Sequence, residues 1–344
     1  MFRTLCSTWI VAAALATSST AAYAQTVTLA PAVAAVPAGP RALSVSILHL
    51  NVADLDTSLA LYRDVLGMEL TAPLAPPRAG AGLVTEAGAM LQTPILRVPG
   101  GTFSMELVQW TGTALRPQQP RIQDPGAIML AFNVRDLDGK LAGAKKLGLR
   151  VLSTKGEPFV SEGRGGGRNR AVMVRDPNGF IVELVENIVE SVAIYLTVQD
   201  LAQTAAFYSQ ALGFALPAVA EARPAGDRIK GLFGDPSLAT MRAARATVPG
   251  TDFVINFQEF GGPDRKPVRH RVQDPGGSIL TMTVQDFPAV IDRVNAHGGT
   301  IGDGETSAPL AADARATWVR DPNGMLIRLS LPQAPRGRGA ALAQ

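Results

Sequence analysis

The chain of 344 residues is 47% hydrophobic, 18% charged and 6% aromatic, with a formal net charge of +3. That balance excludes a disordered or collagen-like chain, and at roughly 150 residues per domain the length suits two domains with aliphatic cores. The basic residues are scattered apart from short loop clusters, so no electrostatic footprint for nucleic acid exists and none is expected as a partner.

In chain order, Met1-Phe2-Arg3 precedes an apolar run from Trp9 to Ala16, and Ala22-Tyr23-Ala24 precedes Gln25. This is the layout of a secretory signal peptide over residues 1–24. The run falls short of the roughly 20 residues of a spanning helix, and no later stretch approaches that length. The expected product is exported, periplasmic or extracellular, with no membrane span. Cleavage after Ala24 removes the only cysteine, Cys6, and with it any disulfide, thiolate metal site or cysteine nucleophile. Cys6 precedes the apolar run, unlike the acylated cysteine of a lipoprotein. Residues 25–43, rich in Ala, Val and Pro, read as a flexible linker, and 333–344 as a flexible tail.

The first module follows. Ile47, His49 and Asn51 alternate with Leu48, Leu50 and Val52, the pattern of a half-buried strand. After Asp54 the spacing turns helical through Leu55, Leu59, Tyr62 and Leu66, with Gly67 as the stop. Short alternating segments, Leu91 to Val98 and Phe103 to Trp110, complete a βαβββ unit. The unit recurs. Asp54-Leu55, Tyr62 and Leu66-Gly67 return as Asp200-Leu201, Tyr208 and Leu212-Gly213. Residues Arg121 to Gly126 return as Arg271 to Gly276, and the hairpin signal Arg175 to Gly179 as Arg320 to Gly324. A weaker half-repeat relates Asn51 to Asn133 and Glu106 to Glu183. Four modules in two domains result, bounded at 44–189 and 190–332. No Gly or Pro interrupts Val185 to Ser191, so the two domains are expected to pack together.

Val-x-Asp-Leu opening the first helix, Tyr-x-x-x-Leu-Gly closing it and Asp-Pro-Asn-Gly before the last strand occur in order, twice. Over residues 44–332 this set resembles the vicinal oxygen chelate (VOC) superfamily of glyoxalases, bleomycin-resistance proteins and extradiol dioxygenases. The resemblance implies an α+β fold in which paired βαβββ modules curl a mixed sheet around a cavity, with helices outside. It also implies a divalent metal held from first and last strands, often by two His and two Glu. At the first-strand position this chain has Ile47, Met129, Ala193 and Ile279, none of which can bind such a cation. At the last-strand position it has Glu106, Glu183, Asn256 and Arg328. The second domain, with Asn256 and Arg328, is therefore expected to hold no metal, and these two residues to engage an anion if it binds a ligand.

In the first domain, His49 lies two residues beyond Ile47 on the same face. A displaced site of His49, Glu106 and Glu183 for one divalent metal (Fe, Mn or Zn) is the alternative reading. The plainer one hydrogen-bonds His49 within the cavity wall and pairs or solvates the glutamates. Without a cation, two carboxylates facing one cavity repel, and one becomes a proton shuttle.

Polar residues on the cavity faces suit a small organic ligand. The candidate ligand-binding residues are His49, Asn51, Glu106, Trp110, Asn133, Glu183, Tyr195, Asn256 and Arg328, with Thr197, Gln258 and Thr281 beside them. The run Gly163 to Arg170 lacks the Lys-Ser/Thr of a phosphate loop and reads as a flexible loop or an arginine lid over the first cavity. His270 reads as part of a solvated loop, and His297 as a helix-end residue favoured by the dipole. No Gly-x-Ser-x-Gly elbow or His-Glu-x-x-His spacing supports a hydrolase or zincin. The favoured expectation is a metal-independent small-molecule-binding protein; the alternative is a metal-dependent lyase or dioxygenase. No oligomer is required, because paired modules complete each cavity within one chain.

Overall fold

The structure is a computed structural model that describes residue 39 and residues 41–332, except 81–83, 85, 100, 102, 163–167, 249–250, 252, 263 and 303–313. Residues 1–24, read above as a signal peptide, and the tail 333–344 lie outside the described residues. The long strands are β1 (Arg41–Val52), β2 (Ser104–Thr111), β3 (Ile128–Val134), β4 (Arg168–Arg175), β5 (Ile181–Glu186), β6 (Ser191–Thr197), β7 (Thr240–Thr247), β8 (Val254–Gly261), β9 (Ser278–Gln285), β10 (Ala316–Arg320) and β11 (Leu326–Ser330). The helices are α1 (Leu55–Leu59), α2 (Leu137–Lys146), α3 (Leu201–Ala206), α4 (Asp227–Phe233) and α5 (Phe287–Ala296). Since β1 starts at Arg41, the last three residues read as linker are strand, and Arg41 and Ala42 pair with Gln285 and Val284.

Each module helix starts at an aspartate. Asp54, Asp136, Asp200 and Asp286 accept backbone N–H groups of the first turn, satisfying donors that have no partner within the helix. The apolar spacing predicts one uninterrupted helix to Gly67. Instead α1 and α3 continue as π-helical turns over Ala60–Val65 and Phe207–Ala211. Tyr62 and Tyr208 lie in these wider turns, and each donates its hydroxyl to a buried aspartate of the following module. Tyr62 reaches Asp176 at 3.0 Å and Tyr208 reaches Asp321 at 3.3 Å. Asn178 accepts from the Ala53 N–H at 2.8 Å and donates to Ser58 at 3.0 Å, an arrangement copied by Asn323 with Gln199 and Thr204. The residues that mark the repeat are therefore one hydrogen-bonded unit, built twice.

Among the described residues the strands form two mixed sheets. The first runs β10-β11-β9-β1-β2 and the second β7-β8-β6-β3-β5-β4, with short strands at the edges. Strand β1 is antiparallel to β9, and β3 to β6. Module one thus shares a sheet with module four, and module two with module three, so the sheets cut across the boundaries 44–189 and 190–332. Chain connection explains this. Only residues 187–190 separate β5 from β6, so β6 takes the edge of β3 that β5 leaves free. The longer stretches 112–127 and 262–277 carry the chain from one sheet to the other and back.

Those crossings hold the repeated Arg-x-Gln-Asp-Pro-Gly. The Arg121–Asp124 and Arg271–Asp274 pairs each close to 2.7 Å. Asp124 also accepts the Lys266 N–H and Asp274 the Arg116 N–H, both at 2.9 Å, so each motif fastens the opposite crossing. Burial opposes ionisation here, yet the guanidinium and backbone N–H donors hold both carboxyls below their ordinary range.

One apolar cluster joins Leu48, Leu50, Leu130, Leu196 and Met282 of both sheets to Leu59, Tyr62, Tyr208 and Val290 of the helices. The two halves therefore pack on a shared core, as the uninterrupted connection predicted. The faces turned away from it carry His49, Asn51, Glu106 and their counterparts. No helix among the described residues is long and apolar enough to cross a membrane.

Candidate functional site

The inner face of the first sheet borders a cavity of about 100 Å³, lined by His49, Asn51, Glu106, Trp110, Thr281 and Arg328 among others. Parallel register sets His49 of β1 beside Glu106 of β2, and parallel register sets Thr281 of β9 beside Arg328 of β11. The imidazole bridges the two sides: Nδ1 lies 2.5 Å from Glu106 Oε2 and Nε2 lies 2.7 Å from Thr281 Oγ1. With its proton on Nδ1 the ring donates to the carboxylate and accepts from the threonine hydroxyl. Arg328 sits 5.8 Å from the Trp318 ring centroid, in cation–π range.

Two side chains lining this cavity hold polar atoms with no protein partner. Asn51 donates its amide to Val272 O at 2.8 Å, which leaves Oδ1 without a donor, and Trp110 Nε1–H has no acceptor. Both residues are buried, so each atom forgoes water as well. An acceptor, a donor and two guanidinium groups (Arg78 and Arg328) thus surround one small space.

The sequence reading missed Arg78 and Trp318. Arg78 follows Pro76-Pro77 with no periodic signal, whereas Trp318 occupies the place of Met173 in the repeat and stands directly opposite Arg328, so comparing the repeats position by position finds it.

Glu183 is elsewhere. It lies on β5 in the second sheet, so His49, Glu106 and Glu183 do not converge, and the displaced three-ligand site is not formed. Among the described residues no three His, Cys, Asp or Glu side chains come together. The cavity of His49 and Glu106 contains Arg328 instead, placed there by the pairing of modules one and four. One imidazole, one carboxylate and a guanidinium do not fit a divalent Fe, Mn or Zn ion. The same pairing separates Arg328 from Asn256, so they do not form a joint anion site, and it removes the mutual repulsion expected of the two glutamates.

Beside α4 the second inner face is filled. Leu232 and Phe233 of α4 join Met129, Met173, Tyr195 and Phe260 in an apolar cluster, and Ser153 fastens the helix through Leu232 O at 2.7 Å. Glu183 lies on this face with 0% exposure and no hydrogen-bond partner on either carboxylate oxygen. Burial pushes its carboxyl up to about 8, and the Arg228 charge offsets only part of that. Burial also pushes the Tyr195 phenol up. Asn133 donates to Ser191 at 2.7 Å, Asn256 to Ile194 O at 3.2 Å, and Gln258 to Thr197 at 3.1 Å.

The remaining candidates settle as structure. Arg164 lies outside the described residues, and Arg170 belongs to β4, where it pairs with Asp138 at 2.6 Å and Glu186 at 2.9 Å instead of closing the first cavity. His270 is buried, not solvated: Ser278 N–H donates to its Nε2 at 3.3 Å, and burial pushes the ring down to about 4. His297 caps α5 as expected.

The profile of the Glyoxalase/Bleomycin resistance protein/Dioxygenase superfamily matches residues 44–184 and again 189–329. The chain belongs to that superfamily. A 2-epi-5-epi-valiolone epimerase from Actinomyces sp. is 32% identical over 155 residues, covering 42% of this chain and 80% of the relative. Glyoxalase I from Zea mays superposes with a TM-score of 0.52 at 17% identity, covering 85% of this chain and 92% of the other. A point mutant of the maize enzyme gives 0.53 at 17% identity, with 85% and 93% covered. At such identity the likeness to the maize enzyme is one of fold. Within the superfamily fold, this member presents one open inner face and a second that α4 covers over Met129, Met173, Tyr195 and Phe260.

Proposed function

We propose that this superfamily member is an exported protein that binds a small hydroxylated organic molecule in the cavity of the first sheet, through its own side chains and without a metal. The observation that carries the reading is the pair of unsatisfied buried atoms, Asn51 Oδ1 and Trp110 Nε1, on residues that line the cavity holding Arg78 and Arg328. Each such atom costs about 1–3 kcal/mol while it lacks a partner. A ligand hydroxyl donates to the first, a ligand oxygen accepts from the second, and a carboxylate or ketone oxygen meets the guanidinium groups.

Calorimetric titration of the mature protein with glycerate, shikimate and 2-keto-myo-inositol tests this. At least one is expected to bind, with Arg328→Met weakening it tenfold or more; absence of heat with every such compound rejects the reading.

The 2.5 Å His49–Glu106 pair favours a second reading, epimerisation by proton transfer, because a carboxylate behind an imidazole is the arrangement of a general base. The epimerase relative supports it. A bound ligand that takes up deuterium from heavy water, and fails to do so with His49→Ala, selects this reading over binding alone.

Export rests on residues 1–24. N-terminal sequencing of protein from fractionated cells is expected to begin at Gln25; a chain that retains Met1 in the cytoplasm overturns it.

A further inference from the structure

The first cavity does not end at β2. Cross-strand pairing sets Trp110 of β2 opposite Leu91 and Leu91 opposite Arg78, and it sets Glu106 of β2 opposite Ile95. Directly opposed residues share a face, so the face that carries the cavity runs on across the short strands Met90–Gln92, Ile95–Arg97 and Arg78–Ala79. A groove of about 170 Å³ lies there, and Arg78, Leu91 and Thr93 line both it and the cavity. The two spaces are neighbours on one surface.

Local sequence builds the groove. Glu69 and Leu70 pair with Arg97 and Leu96, and Arg78 and Ala79 with Leu91 and Met90, so residues 71–77 pass from one short pairing to the other outside the ladder. The Thr71 N–H donates to Ile95 O at 3.0 Å and Gln92 Nε2 donates to Ala75 O at 2.7 Å, which fastens this stretch at two points. Pro73 and Pro76 line one side of the groove, and Pro94 and Ile95 the other. Proline rings fix the backbone angle φ, so the shape is set before anything binds. Of the residues lining the groove only Thr71, Arg78 and Thr93 carry polar side chains, and Ala72, Pro73, Ala75 and Pro76 are exposed. Apolar surface left in water beside a polar cavity is surface that an apolar substituent covers with gain.

On the reading of the first cavity as a binding site, we infer that its ligand carries an apolar chain of about six carbons that lies in this groove, while the hydroxylated head sits at Asn51, Trp110 and Arg328. An apolar space of roughly 150 Å³ holds a benzene-sized group, and that match sets the length of the chain. Arg78, common to both spaces, marks the junction of head and chain. A 2-hydroxy acid with an alkyl side chain has this layout.

The test is calorimetric titration of the mature chain with 2-hydroxyoctanoate and with lactate, which has the same head and only a methyl group in place of the chain. 2-Hydroxyoctanoate is expected to bind at least tenfold more tightly. Ala72→Trp and Ala75→Trp, at exposed positions, fill the groove; each is expected to cut that advantage below threefold and to leave lactate binding as in the parent. Arg328→Met is expected to weaken both compounds by the same factor, because they share the head. Equal binding of the two compounds by the parent, or an advantage that survives both filling variants, overturns the assignment. Either result alongside heat from glycerate, shikimate or 2-keto-myo-inositol rejects the groove alone. Absence of heat with every compound rejects the first cavity as a binding site, and the groove with it.

Discussion

Replacing Glu183 by leucine is expected to stabilise the protein by roughly 2–5 kcal/mol at pH 8 and by about 1–2 kcal/mol at pH 5. Its carboxyl is fully buried among Met129, Met173, Phe233 and Phe260 without a hydrogen-bond partner, and burial pushes it up to about 8 from an ordinary 4.5. The native state therefore holds this proton more tightly than the unfolded chain does. Stability is fully present below about pH 4.5, falls as the pH rises and has been lost once it passes about 8.

Other buried groups act in different windows. Asp176 and Asp321, pushed up to about 6 by burial, lower stability as the pH rises from about 4 to 6. His270, pushed down to about 4 by burial, contributes stability that is present above about 6.5 and lost as the pH falls through 4. Between pH 6.5 and 8 the slope belongs to Glu183. Thermal melts across that interval are expected to fall for the parent and to stay level for Glu183→Gln, which keeps the shape but cannot ionise. An equal slope in Glu183→Gln assigns the effect to another group.

Asp176→Ala is expected to destabilise by about 3–5 kcal/mol. Its Oδ1 accepts the Asn178 and Phe180 N–H groups at 2.8 Å, and its Oδ2 accepts Tyr62 Oη at 3.0 Å and Asn178 Nδ2 at 3.2 Å. The site is 4% exposed, so water does not replace the lost acceptor for all four donors. Tyr62→Phe removes one hydroxyl and leaves the turn intact, at a cost of about 1 kcal/mol. Urea unfolding of the two variants separates a turn-organising carboxylate from a single hydrogen bond; equal losses contradict this account. Asp321→Ala is expected to match Asp176→Ala, because the second repeat builds the same unit.

Much of this was legible in the residues. The alternation around His49 sorted Leu48 and Leu50 to the core and His49 and Asn51 to the cavity, and the aspartates that start four helices cap them. These are local properties, carried by periods of two and 3.6 and by one side chain reaching two or three residues ahead. The π turns after α1 and α3 were not legible, since the apolar spacing through Leu66 suits an α-helix equally well.

By itself the sequence determined the superfamily, the four modules, the inward face of the first strand and the absence of a first-strand metal ligand at Ile47, Met129, Ala193 and Ile279. Only the tertiary structure decided which modules meet. That choice rests on non-local strand pairing and on the contrast between a connection of four residues at 187–190 and the long crossings before β3 and β9. It set Arg328, not Glu183, beside His49 and Glu106, turning an expected pair of repelling carboxylates into a site with charges of both signs. Glu183 meets α4 instead, and becomes a buried acid because the helix excludes the water that would keep it ionised.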